Sequence, residues 1–156
     1  GMENYRNKDC PVMRYLLAEQ HPLFLIANIR SLDLRLPWQR STYSGHRLRE
    51  DDFQTLKRNF VHHWGPLYVA GKNLRFRRGE TRKRTWFPTS GTYRLEADRS
   101  VSIDGRDVEP DGFVDLTEGV HVLEVRSPPA RVTLRWGHTP APRNPRRHHA
   151  SFFDPF

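Results

Sequence analysis

Cysteine is almost missing: Cys10 stands alone in 156 residues, so no internal disulfide can form. No histidine lies near Cys10 in sequence to serve as its base, which leaves it a stray N-terminal thiol rather than a nucleophile. Long apolar runs are missing as well. The longest, residues 23–29, falls far short of the ~20 residues that a membrane-spanning helix needs. Apolar residues make up only 36% of the chain, although four Trp and nine Phe supply bulk for a core. The Gly-x-Ser-x-Gly elbow, the P-loop, the dinucleotide fingerprint and His-Glu-x-x-His do not occur. A disulfide scaffold is thereby excluded, and no catalytic signature or cofactor motif stands in the sequence.

What is present is concentrated between Trp86 and Trp136. Short alternating runs are separated by turn residues at near-regular spacing, the pattern of a small antiparallel β domain. Tyr93, Leu95 and Ala97 alternate with Arg94 and Glu96, and Val132, Leu134 and Trp136 alternate with Thr133 and Arg135. Between them, Val101–Ile103, Arg106–Val108, Phe113–Leu116 and residues 121–125 read as further strands. Asp98-Arg99-Ser100, Asp104-Gly105, Pro110-Asp111-Gly112, Thr117-Glu118-Gly119 and Pro128-Pro129 separate them. About six strands in some fifty residues suit a compact antiparallel β-sandwich or jelly roll.

Upstream, residues 11–20 read as a short helix with Val12, Leu16 and Leu17 packing. Residues 23–29 fit either a buried helix or a buried strand, and the helix is favoured because Pro22 suits a first turn. Asp51 or Asp52 caps the clearest helix, whose stripe is Phe53, Leu56 and Phe60 with Trp64 one turn on; Gly65-Pro66 ends it. Residues 67–70 and 73–76 are expected as a hairpin around Gly71-Lys72. The expected organisation is a helical N-terminal lobe over 1–71 and a basic connector over 72–84. An antiparallel β domain over 85–136 and a Pro/Arg-rich tail over 137–156 follow. The fold class is mainly β with an α-helical N-terminal part.

The pieces Gly91-Thr92-Tyr93, Asp98, Ile103-Asp104-Gly105, Leu116, Gly119, His121, Leu123 and Leu134-Arg135-Trp136 follow a recognisable order. In that order the chain resembles the PA14-type and similar carbohydrate-associated β-sandwiches. It is also similar to the soluble C-terminal part of some bacterial multi-pass glycosyltransferase-like membrane proteins, which His63-Trp64-Gly65-Pro66-Leu67-Tyr68-Val69-Ala70-Gly71 fits loosely. The resemblance implies a binding or accessory module for cell-envelope carbohydrate, or the soluble part of a membrane-associated protein. Sugar-binding modules of this type present two adjacent aspartates for calcium. Here Asp98 is followed by Arg99, so calcium-dependent sugar binding is not implied.

Charge gives an alternative. Residues 72–84 hold seven basic side chains and one acidic, whereas residues 85–136 hold six basic and nine acidic, within an overall net charge of +8. Lys72, Arg75, Arg77, Arg78, Arg82, Lys83 and Arg84 are therefore the candidate contacts of a nucleic-acid or polyanion binder. For a glycan the candidates are Trp38, Tyr43, Trp64 and Trp86, whose faces suit sugar C–H groups. Trp38, in its Pro-Trp-Gln-Arg loop, is expected to be the most exposed, and Trp136 is expected in the core.

Histidines at His62-His63 and His148-His149 are adjacent rather than four apart, so zinc held by His46, His62, His63 and His121 would need a tertiary coincidence. Asp51, Asp52, Asp104, Asp107, Asp111 and Asp115 sit where caps and turns use them. No catalytic residue, metal or cofactor is assigned. Gly1 before Met2 reads as a residue left by tag removal. With Met2 as native start the expected compartment is the cytoplasm; cut from a membrane protein, the piece is expected in the periplasm or another extracytoplasmic space.

Overall fold

A computed structural model describes residues 12–28, 32–38 and 48–138. Cys10, Tyr43, His46 and the tail beyond His138 lie outside the described residues. In chain order the elements are α1 (Val12–Gln20), β1 (Phe24–Ile26), α2 (Glu50–Asn59), β2 (Phe60–Trp64), β3 (Leu67–Phe76) and β4 (Arg82–Phe87). They continue with β5 (Gly91–Ala97), β6 (Val101–Ile103), β7 (Arg106–Val108), β8 (Phe113–Leu116), β9 (Gly119–Glu124) and β10 (Ala130–Trp136).

The strands form two antiparallel sheets. One runs β1-β3-β10-β5-β8 with β2 also paired to β3; the other runs β4-β9-β6-β7. Alternation decides which side chains meet between them. Phe76, Tyr93, Leu95, Leu116, Val132 and Leu134 of the first sheet close on Phe87, Val101, Ile103, Val108 and Leu123 of the second. Most of these are fully buried, at roughly 1.5–3 kcal/mol for each large side chain. Tyr93 is buried with its hydroxyl donating to Thr89 O at 2.6 Å, a bond from strand to upstream backbone of the tyrosine-corner kind. Trp136 packs its ring over Gly91, where a Cβ would lie 2.4 Å from Trp136 Nε1. The fold is the expected mainly β sandwich with a helical N-terminal part.

A second core joins that helical part to the first sheet. Leu17 of α1, Phe53 and Leu56 of α2, Leu34, Phe60 and Tyr68 pack together. Asp52 is buried on α2 and accepts Met13 N–H at 3.1 Å, which ties the two helices. Tyr68 donates to Asp33 at 2.6 Å, and Arg35 grips both oxygens of the same carboxylate at 2.8 Å. The Arg35 hydrogen bonds hold Asp33 well below the usual carboxylate range, and burial together with Asp33 pushes the Tyr68 hydroxyl well above its own.

Several expectations upstream of Trp86 are corrected. Residues 24–26 are a strand, not a helix, because their backbone pairs with β3 in the register Phe24↔Val69 to Ile26↔Leu67. Leu16 faces out and Leu17 alone of that helix is buried. The helix α2 starts at Glu50 behind Arg49, so Asp51 and Asp52 lie inside its first turn, where acids suit the helix dipole. It ends at Asn59. Phe60 already has extended backbone, and residues 60–64 pair with β3, so Trp64 ends a strand and not a helical stripe. Gly71-Lys72 is no turn: β3 runs unbroken for ten residues. Glycine is required there because a Cβ would come 2.4 Å from Leu134 O and 2.7 Å from Val61 Cγ2. Nor are residues 72–84 a connector. Residues 72–76 end β3, residues 82–84 begin β4, and the turn between them carries the chain from one sheet to the other.

Candidate functional site

The open side of the sandwich is where the unspent chemistry lies. Among the described residues, 71–76 of β3 pair only with β10, and β4 pairs only with β9. These two strands stack across the sandwich: Lys72 Nζ lies 5.5 Å from the centre of the Phe87 ring, and Lys83 Nζ lies 5.5 Å from that of Phe76. Along this side Arg75 stands on the outer face of the first sheet, Arg84 on the outer face of the second, and Arg77 and Arg78 in the turn between them.

The seven expected cations separate into two groups there. Lys72 points inward, is 6% exposed and donates to Asn59 Oδ1. Burial, with the Arg58 charge nearby, pushes its ammonium down to about 8. Lys83 also turns inward and pairs with Glu80 at 2.6 Å, and Arg82 pairs across the strands with Glu124 at 3.3 Å. Arg75, Arg77, Arg78 and Arg84 are exposed, and among the described residues no carboxylate forms an ion pair with any of their guanidinium groups, although Glu80 accepts the Arg77 backbone N–H at 3.0 Å.

One cation was missed by sequence reasoning. Arg131 of β10 lies directly opposite Arg75 of β3, and both are exposed. Like charges facing each other across a ladder repel, so this pair is destabilising without an anion between or above it. The alternation around Val132 and Leu134 already put Arg131 on an outer face. The partner strand and register were the hidden part. Three other arginines of the sandwich are paired: Arg94 meets Asp111 at 2.7 Å, Arg126 meets Asp107 at 2.7 Å, and Arg135 holds Glu96 through two bonds of 2.7 and 3.1 Å.

The aromatic candidates do not assemble into a platform. Trp38 is half-buried against the second core, with its indole N–H donating to Leu48 O at 3.4 Å, contrary to the expected exposure. Trp86 is half-buried against the same core. Trp64 ends β2 and is 37% exposed. Tyr43 lies outside the described residues.

Histidines and aspartates are absorbed locally. His62 contacts Gly65 O at 2.9 Å and the Tyr68 ring edge-on. His63 keeps Nδ1 buried without a partner; burial and the Arg135 charge lower its basicity. His121 stands between Asp104 and Thr117 O, stacked edge-on against Phe87. Asp104 also accepts Val122 N–H at 2.8 Å. Burial alone would raise the Asp104 carboxyl, but the His121 and Val122 hydrogen bonds and the Arg106 charge outweigh it and lower it. Asp115 accepts the Thr92 hydroxyl. Among the described residues no group of three or more His, Cys, Asp or Glu is placed to hold a metal ion. No described helix is long and apolar enough to cross a membrane.

No protein-family model, curated protein or solved structure matches this chain.

Proposed function

We propose that the chain is a β-sandwich binding module whose ligand is extended and anionic, engaged at the edge made by the end of β3, the following turn and β4. The observation that carries this reading is the facing pair Arg75 and Arg131, unpaired with any carboxylate among the described residues, followed along the chain by the equally unpaired side chains of Arg77 and Arg78 in the turn and Arg84 on β4. Acids on the same sandwich pair with Arg94, Arg126 and Arg135, whereas these arginine side chains meet no carboxylate among the described residues. An acidic cell-envelope glycan of the kind the PA14-type resemblance suggests, whether or not the module forms part of a membrane-associated protein, carries the required charge. So does a nucleic-acid strand. A neutral sugar gains nothing from this charge and needs aromatic faces, of which Trp38 and Trp86 are half-buried against the second core.

The test is a titration with a sulfated glycan oligomer, single-stranded DNA and a neutral glycan array, each at about 50 and 300 mM salt. Binding to an anionic ligand that weakens at least about tenfold with salt supports the reading. Arg75→Glu with Arg84→Glu abolishes that binding, while Arg126→Glu, at a guanidinium already paired with Asp107, leaves it. Anion binding unchanged by the double substitution would move the site elsewhere. Saturable, salt-insensitive binding to a neutral glycan would replace this reading with a carbohydrate platform.

A further inference from the structure

The edge offers more than charge. Val125 N–H donates to Thr81 O, so the odd-numbered residues of β4 direct their backbone groups toward β9. The Cα register Lys83↔Leu123 and Thr85↔His121 continues that alternation. The N–H and C=O groups of Arg82, Arg84 and Trp86 therefore point the other way, along the open edge, where no described strand pairs with them. A strand edge of this kind is a template for another strand. The side chains of Arg82 and Arg84 stand exposed on the outer face of the same strand, and Trp86 closes its inner end against the second core.

Resting on the anionic-ligand reading above, we infer that the β4 edge takes an extended acidic peptide as an added strand. Main-chain hydrogen bonds to Arg82 and Arg84 set the register. Carboxylates on alternate residues of the peptide then lie beside the unpaired Arg84 guanidinium and beside Arg82, which also meets Glu124 at 3.3 Å, within the ~5 Å that separates directly opposed cross-strand side chains. A second copy of this chain is the wrong occupant, because it would bring the same arginines to the same edge. Glycans and nucleic acids can satisfy the charge but have no peptide groups for the free N–H and C=O positions. The ligand chemistry is therefore an alternation of acid and β-favouring residues, read by backbone as well as by charge.

The experiment compares two fluorescent peptides of about eight residues, enough to span β4 at ~3.3 Å per residue. One alternates Glu and Val; the other has the same sequence with alternate amides N-methylated on the edge-facing side. The inference expects the methylated peptide to bind at least about tenfold more weakly, and the parent peptide to slow hydrogen exchange at the Arg84 amide. A second variant separates backbone from charge. Arg84→Pro removes an N–H that serves no ladder bond, and Arg84→Gln removes only the charge. Greater loss with Pro than with Gln supports strand addition. Equal affinities for the two peptides, or unchanged exchange at Arg84 on saturation, overturn it while leaving the anionic-ligand reading standing. Salt-insensitive binding of the parent peptide, unaffected by Arg75→Glu with Arg84→Glu, overturns both.

Discussion

Lys72 carries a charge into a place where charge is unwelcome. Its ammonium lies between the two cores with Asn59 as hydrogen-bond partner, and burial depresses its protonation to about 8 from an ordinary 10.5. The unfolded chain thus binds more protons than the folded one between those two values. Stability is expected to rise as pH climbs from about 8 to about 10.5, the reverse of the usual loss in alkali. Lys72→Met is expected to raise stability at neutral pH by about 1 kcal/mol and to flatten that alkaline rise, in urea unfolding across pH. Asp104 works in the opposite sense. Its carboxyl is lowered in the folded state, so its contribution is complete above the ordinary carboxylate range near 3.8 and disappears as pH falls through the lowered value. Asp104→Asn is expected to cost about 1 kcal/mol at pH 7, with a shallower loss of stability in acid than the parent shows. At this scale the sequence was informative where chemistry is local. Asp104-Gly105 was legible as a turn, and the aspartate indeed adopts φ 49 with Gly105 at φ 80. The placing of Asp104 against His121, seventeen residues away, was not legible.

Between one element and the next, alternation and turn chemistry agreed from Thr92 onward, so strands β5 to β10 could be read from the sequence nearly in full. Upstream they disagreed. Residues 23–29 are apolar without a period, and only pairing with β3 decides that 24–26 are extended. Gly71 looked like a turn because a glycine inside an alternating run has two readings, a bend or a close approach; Leu134 O and Val61 Cγ2 make it the second. The arginine edge was half legible. Its cations were plain in the sequence, but which of them turn inward followed from a strand that had been read as two. Gly71→Ala is accordingly expected to lower stability by about 2 kcal/mol through crowding between β3 and β10, and thermal unfolding measures it. The same change at Gly105 strains a positive φ but meets no neighbour, so crowding contributes nothing there.

Across the whole molecule, β3 belongs to both cores. Tyr68 near its start lies in the helical core, and Phe76 at its end lies in the sandwich core. The two parts are therefore expected to unfold in one transition. Leu56→Ala in the first and Leu123→Ala in the second should each cost about 2–5 kcal/mol and lower a single shared midpoint, followed by far-ultraviolet and tryptophan signals together. Two separated midpoints would show that β3 does not couple them. A shared strand also governs what can be cut, joined or exchanged. No splice within Leu67–Phe76 yields two self-sufficient pieces, because each would inherit half of one strand and an uncovered sheet. Grafting this module onto another chain, or trading its helical part for a different one, must carry Phe60–Trp64 and Leu67–Phe76 with the sandwich. New sequence is best accommodated at Asp98-Arg99, where both residues are exposed.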